Sequence, residues 1–438
     1  MKLRPILLTA AAAFSLQANA QTWVSDSVNT TPGYANDVYY SMDNGSVSSV
    51  PNTNWHFGFQ MVPQSGPSST AGIIANHVMG KVSVYSINKQ ATGNFATLTA
   101  NDTVGKMSNP LYNSDTAWGY GAFNQNHDPS NLFDYGWGQY NQTTHYLNGD
   151  SIYVVKVDTA TYKVWMQEYV TYPNDSISWT FRIARFDNSS DTTILVPRHA
   201  NGFDFTNRQF AYFNATTNTI LDREPGRDTW DILFTRYDDS ASQGPMFLAH
   251  YPAAGVFSNM NTTVAEVHNI NPDTAGINQN YSANTNEIGY DWKHYDQTTN
   301  TWSIDSTVYF IKNGTSAYYQ LQFTGFGGSA TGVYNFRKRT LVPTAVKNIT
   351  ANNVNAVAIV PNPAQNQTAV MIDASENVGS ARIIVADLNG RLLQNYAVTV
   401  NKGMNGFAIN TMAIPTGMYM VTVSNGSWKV TEKLMVQH

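Results

Sequence analysis

The chain has 438 residues, of which 42% are hydrophobic, 13% aromatic and only 13% charged, with a formal net charge of −5. That length allows about two to four domains, and a charge balance without a basic stripe excludes nucleic acid as a natural partner. Cysteine is absent, which excludes disulfides, zinc–thiolate sites and thiol nucleophiles.

In chain order, the first twenty residues read as a secretory leader. Lys2 and Arg4 precede a short apolar run, and Ala18-Asn19-Ala20 supplies a small-residue cleavage signal, so the mature chain is expected to begin at Gln21. No later apolar run approaches the length of a membrane helix. From there strands dominate: "VYYSM" from Val38, "IYVVKV" from Ile152, "KVWMQEYV" from Lys163, "SWTFRIARF" from Ser178, "VYFIK" from Val308 and "YYQLQF" from Tyr318. All are β-branched or aromatic, and Asn, Gly, Asp or Pro bounds them. The hydrophobic period is two, and no amphipathic helix is evident.

The chain then repeats itself. "YGWGQYNQTTHY" from Tyr135 returns as "DWKHYDQTTNTW" from Asp291, aligning Trp137 with Trp292, Tyr140 with Tyr295 and Gln139 with His294. The plan of "VYYSMDNGSVSSVPNTNWHFGF" from Val38 returns in "AYFNATTNTILDREPGRDTWDILF" from Ala211, aligning Trp55 with Trp230. Lys156 and Tyr162 align with Lys312 and Tyr318, and "WTFR" at Trp179 with "YNFR" at Tyr334. Four blocks in one order imply a tandem duplication.

The predicted fold class is therefore all-β: two tandem duplicated antiparallel β domains and a C-terminal immunoglobulin-like β-sandwich. The expected boundaries are a leader at 1–20, a first domain at 22–187, a connector at 188–205 and a second domain at 206–341. A linker at 342–357 and a tail at 358–438 follow. The tail has short alternating strands with Asn-Gly turns at Asn389, Asn405 and Asn425.

Chemical motifs are few, and no enzyme is expected. There is no G-x-S-x-G elbow and no H-E-x-x-H helix. "GFGGSA" near Gly325 lies between strands and reads as a hairpin loop rather than a dinucleotide fingerprint. Asp204, Glu224, Asp228 and Asp231 are the carboxylates from which a glycosidase pair could be drawn. Asp-Thr or Asp-Ser triplets at Asp102, Asp115, Asp158 and Asp273 resemble O-glycosylation sites of exported Bacteroidetes proteins. The cluster Trp118, Tyr120, Phe133, Tyr135, Trp137 and Tyr140 reads mainly as core, with exposed rings suited to stacking on sugars or other flat ligands.

Two family resemblances follow from these motifs. Pro361-Asn362-Pro363-Ala364, "DLNGR" at Asp387, "PTGMY" at Pro415 and the closing "EKLMV" resemble the type A C-terminal sorting domain of the type IX (Por) secretion system of Bacteroidetes. That resemblance implies passage through the periplasm, the secretion machinery as a partner, and release or attachment at the outer-membrane surface. The aromatic strand, turn and Trp strand of each copy, with "VYFIKNG", "YYQLQF" and "YNFRKR", resemble the HmuY family of haem-binding proteins.

The HmuY resemblance implies haem as cofactor, delivered free or from a host haemoprotein, and an axial ligand at about His294. Trp292 and Tyr295 would then wall the macrocycle, and His268 would be the second candidate ligand to the iron. His250 and Met260 are further candidates. The first copy has Gln139 in place of His294, with His127 and His145 out of register. The expected function is a secreted or surface haemophore-like binding protein; an adhesion or carbohydrate-binding module on the same scaffold is the alternative.

Overall fold

The computed structural model describes residues 22–62, 71–87, 91–170, 177–240, 250–273, 275–341, 353–388, 390–426 and 428–438. The expected leader and most of the expected linker lie outside these residues. The chain divides into a body, Met1–Leu341, and a tail, Val342–His438. Both are all-β, as the period-two pattern predicts. The body's described residues hold only short helical turns, such as Ala91–Asn94 and Gly328–Thr331.

The body is built twice over from one plan. In one lobe the antiparallel order is Thr192–Pro197, Ser178–Arg185, Ala160–Val170, Ile152–Val157 and Val82–Ser86. In the other it is Val24–Asn29, Val333–Leu341, Tyr318–Phe326, Val308–Lys312 and Thr263–Val267. Each lobe packs this sheet against a second, four-stranded one. The first lobe uses Thr219–Leu221, Phe210–Asn214, Phe57–Gln60 and Ile73–Ala75; the second uses Gly45–Pro51, Asn36–Ser41, Ile232–Asp239 and Tyr251–Ser258.

Registers repeat as well as order. Tyr40 lies opposite Ile232 and Val38 opposite Phe234; equivalently, Phe213 lies opposite Phe57 and Ala211 opposite Phe59. A β-bulge falls between Met166 and Glu168 in one lobe and at the matching place between Phe323 and Gly325 in the other. Unrelated sheets would not share both registers and a bulge.

The exchange of strands is what the boundaries 22–187 and 206–341 do not capture. Residues 24–51, at the start of the first copy, pair with strands of the second, while residues 192–221, from the connector and the start of the second copy, pair with strands of the first. One lobe is therefore the continuous stretch 57–221, and the other joins 24–51 to 232–341. A second correction concerns the hairpins. Lys156 lies opposite Thr161 but Lys312 lies opposite Tyr318, because a two-residue turn in the first copy is a longer loop in the second. The counterpart of Tyr162 is thus Tyr319, and both are buried.

Each lobe has an aromatic core. Trp137 packs on Trp179, which stacks on Tyr169 at 4.1 Å; Trp292 stacks on Phe323 at 3.7 Å and approaches Tyr334. Rings of this size dominate burial energetics. At Gly332 (φ 69°), where the second lobe's last hairpin meets the N-terminal strand, a Cβ would lie 2.1 Å from the Thr31 carbonyl, so only glycine fits.

The tail is a two-sheet sandwich. Val354–Val360, Gln367–Ala374 and Gly403–Asn410 face Leu392–Val400, Gly379–Asp387, Gly417–Ser424 and Lys429–Val436. Its sequence motifs prove to be fasteners. Asn362 donates to the Lys433 carbonyl (2.7 Å) and accepts the Met435 N–H (2.8 Å), tying the Pro-Asn-Pro turn to the last strand. Asp387 accepts the Arg391 N–H and closes the "DLNGR" turn, and the Tyr419 hydroxyl donates to the Pro415 carbonyl.

Candidate functional site

His294 sits on a surface hairpin, Lys293–Asp296 with Thr301–Ile304, that matches Gly138–Tyr140 with Leu147–Gly149 in the first copy. Its side chain is 62% exposed, with Nε2 3.0 Å from Asp305 Oδ2. Gln139 at the matching position is exposed too. Tyr295 is exposed and donates to Asn300. Trp292 is only 1% exposed and belongs to the lobe core, so its faces are covered by Phe323 and its neighbours rather than open to a macrocycle.

His268 is also 62% exposed, 3.5 Å from Glu266 and hydrogen-bonded to the Thr307 hydroxyl at 3.0 Å. His250 pairs with Asp238 at 2.6 Å and stacks on Tyr112 at 3.4 Å. Beside His294, Lys293 is buried. Its Nζ donates to the Ala254 and Tyr290 carbonyls above the Trp292 ring, and desolvation pushes its ammonium down to about 7. Among the described residues no group of three or more His, Asp or Glu is arranged to hold a metal ion.

The four carboxylates considered for hydrolysis are each engaged elsewhere. Asp204 meets His199 in an exposed hairpin, and Asp228 lies beside Arg227. Glu224 is buried and accepts the N–H groups of Gln209 and Phe210 and the Tyr212 hydroxyl; burial pushes it up to about 7. Asp231 accepts the Met42 N–H.

A different place draws functional groups together: the cleft where the second sheets of the two lobes meet. Two equivalent T-shaped ring pairs flank it, Trp55 with Tyr212 (4.9 Å, 76°) and Trp230 with Tyr39 (5.0 Å, 74°). Asn76 braces one side, donating to the Asn52 and Trp55 carbonyls. Its counterpart Asn259 donates to those of Arg227 and Trp230. Neither asparagine stands out in the sequence, because each is a single polar residue at the end of an apolar strand.

The symmetry then breaks. Arg223 lies over Tyr212 at 4.9 Å and bonds to buried Asp37 at 2.7 Å, and Asp37 also accepts the Thr235 hydroxyl. From the first copy alone, Trp118 reaches across to pack on Phe210 and Phe257, its indole N–H donating to the Ser258 carbonyl at 2.7 Å. The cavity left between these groups is about 80 Å³. His77, on its wall, is pushed down to about 4 by desolvation and is neutral; Nδ1–H donates to Val82, and Nε2 accepts from Asn113. The Tyr237 hydroxyl and Arg223 Nε, both buried cleft groups, have no hydrogen-bond partner among the described residues.

Fold and fasteners together describe an all-β protein with a separate C-terminal module. That module, residues 358–437, matches the secretion system C-terminal sorting domain family. The chain thus carries a type IX sorting tail, which directs export to the cell surface or secretion and interaction with the type IX machinery. The match leaves the body outside it, so the HmuY resemblance rests on sequence motifs alone. No curated protein matches the chain. Among solved structures, dimeric latent PorU from Porphyromonas gingivalis is similar at 9% identity and TM-score 0.17 over 88% of this chain and 34% of that one. The chain thus spans about a third of that protein's length. The BSP domain of a biofilm associated protein is similar at 7% identity and TM-score 0.16, over 95% and 81%.

Proposed function

We propose that the chain is an exported, non-catalytic binding protein whose ligand sits in the cleft between the two lobes. One observation carries this reading: a cavity walled by Trp118, Phe257 and Tyr212 lies at the place where the duplication's symmetry is broken. Trp118 reports on the site. Ligand binding is expected to change its fluorescence, and Trp118→Phe is expected to remove that change; a response unaltered in Trp118→Phe would place the ligand elsewhere.

Haem ligation by His294 is the second reading, favoured by one feature. His294 and His268 bond to Asp305 and Thr307, alternate residues of one short segment, which brings both imidazoles to the same neighbourhood. Haemin titration is expected to give a sharp six-coordinate spectrum that His294→Ala weakens and Gln139→Ala leaves intact. The broad spectrum of free haemin throughout would dismiss it. The inter-lobe cavity is too small for a macrocycle, so the two readings concern different surfaces.

A further inference from the structure

We propose that the outer face of the tail's three-stranded sheet is the surface through which the tail docks on a protein of the type IX secretion machinery. This is independent of the cleft reading above. Register defines the face. Ala358 lies opposite Met371, and Met371 opposite Gly406; Val360, Ala369 and Ala408 form the row on one side, and Ala356, Asp373 and Met404 the row on the other. Their neighbours in sequence, Val357, Ile359, Val370, Ile372 and Ile409, point the opposite way into the tail core. The outward positions are all exposed or half-buried, Val360 at 56% and Met404 at 67%.

Composition sets this face apart. A sheet with one solvated side alternates apolar inward and polar outward. The tail's other sheet largely obeys that rule, with Arg382, Asn395, Thr422, Ser424, Thr431 and Lys433 turned outward. In the three rows above, every residue except Asp373 is Ala, Gly, Val or Met. Polar groups rim them: Asn355 holds Asp373 at one end, and Gln367 and Asn410 lie opposite each other at the other end. An exposed apolar patch with a polar rim marks a protein contact. Ala and Gly are also poor strand residues, so the face serves neither solvation nor sheet propensity. What these small residues provide is a flat surface that another chain can approach closely, with Gly406 in its middle row.

The module decides the occupant. All of the face but Ala356 falls within residues 358–437, which match the sorting-domain family, and the partner of that module is the secretion machinery. The one carboxylate in these rows sits at the rim. The complementary surface is therefore a flat, apolar face of a protein, not a charged one.

The test places a photoreactive amino acid at Ala408 of the full-length chain in its native host, with Thr422 on the other sheet as the comparison. Cross-linking from position 408 to a protein of the secretion machinery, identified by mass spectrometry, is expected, with little from position 422. Ala408→Lys and Met404→Lys are each expected to lower surface delivery roughly tenfold or more, because each sets an unpaired charge against an apolar partner. Thr422→Lys is expected to leave delivery unchanged. Thermal unfolding of the purified variants, followed alongside, is expected to match the parent, since all three side chains point outward. If Ala408→Lys unfolds the tail, the more exposed Met404→Lys decides. Cross-links from position 408 to a second copy of the chain, to its own body or to lipid, or no cross-link at all, would overturn the assignment. So would normal delivery of both lysine variants, or an equal loss in Thr422→Lys.

Discussion

The Asp231 carboxylate accepts the backbone N–H of Met42 at 2.7 Å, across 189 positions of sequence, and His56 Nδ1 does the same for Ala215 at 2.9 Å. Both acceptors directly follow the tryptophan of their copy, and both donors lie two residues beyond the paired aromatic, Tyr40 or Phe213. The duplication has kept the bond and changed the chemistry that makes it. Each clamp fastens a strand hairpin of one copy to the sheet of the other. Asp231→Ala is expected to leave the Met42 N–H unsatisfied and cost about 1–3 kcal/mol in urea unfolding, with His56→Ala costing a similar amount.

Strand exchange makes a sharper prediction about fragments. Residues 52–225 contain every strand of one lobe, so that fragment is expected to fold as a monomer. Residues 22–187, the first copy as the sequence presents it, lack the strands at 192–221 and carry strands at 24–51 whose partners in the second copy, Val333–Leu341 and Ile232–Asp239, are missing. That fragment is expected to be unfolded or to dimerise by reciprocal exchange. Light scattering and circular dichroism of the two fragments decide the matter, and a folded monomer of 22–187 would refute the exchange.

This is also where sequence reading reached its limit. Alternation, turn residues and repeated blocks are local, and they located the strands, the duplication and the tail. Pairing partners are not local. The "VYYSM" strand has the same alternation whether it pairs with its own copy or the other, so nothing in its residues records the exchange. Trp292 and Trp137 recur for the same reason that they are buried: they fill equivalent cores. The cleft was illegible because its lining is drawn from Asp37 to Thr285, and the repeated blocks that supply Tyr39 with Trp55 and Tyr212 with Arg223 do not record that they face each other. The difference between Gln139 and His294 stood out in the alignment, yet both positions face outward on matching hairpins.

Two buried groups set opposite pH windows on stability. Glu224 is raised from 4.5 to about 7, so the folded state binds its proton more tightly; its contribution is complete below pH 4.5 and is lost as pH rises through about 7. Lys293 is lowered from 10.5 to about 7, so its contribution is complete above pH 10.5 and is lost as pH falls through about 7. Relative to the parent, Glu224→Gln is expected to flatten the decline between pH 4.5 and 7. Lys293→Met is expected to flatten the rise between 7 and 10.5. Denaturant midpoints across pH measure both; parallel curves for parent and variant would remove the group concerned.

Export and folding are expected to separate at the tail. Deleting Ala358–His438 removes a module with its own sheets and core, so the body is expected to keep its unfolding transition. The truncated protein is expected to accumulate in the periplasm of its native host. Asn362→Ala is milder: it breaks two bonds to the last strand and is expected to cost the tail about 1–3 kcal/mol. Fractionation and thermal unfolding read the two effects, and normal surface delivery without the tail would refute its role.

The Asp37–Arg223 pair at the cleft tests how the lobes are held together. Both side chains are nearly inaccessible, and each has a further neutral partner, Thr235 for Asp37 and the Pro51 carbonyl for Arg223. Asp37 and Pro51 come from the exchanged segment of the first copy, and Arg223 lies two residues past that of the second, so the bond ties the two exchanged segments together. Removing one partner strands a charge in a poorly solvated place, and Arg223→Ala is expected to cost about 3–5 kcal/mol. Removing both charges together leaves no stranded ion. Asp37→Asn with Arg223→Met, which keeps much of the side-chain volume over Tyr212, is therefore expected to recover most of that loss. A double variant as unstable as Arg223→Ala would mean that the guanidinium acts chiefly through its stacking on Tyr212 and Trp55. Chemical unfolding of the parent, Asp37→Asn, Arg223→Met and the double variant closes one thermodynamic cycle, with Arg223→Ala measured beside it for the loss of stacking.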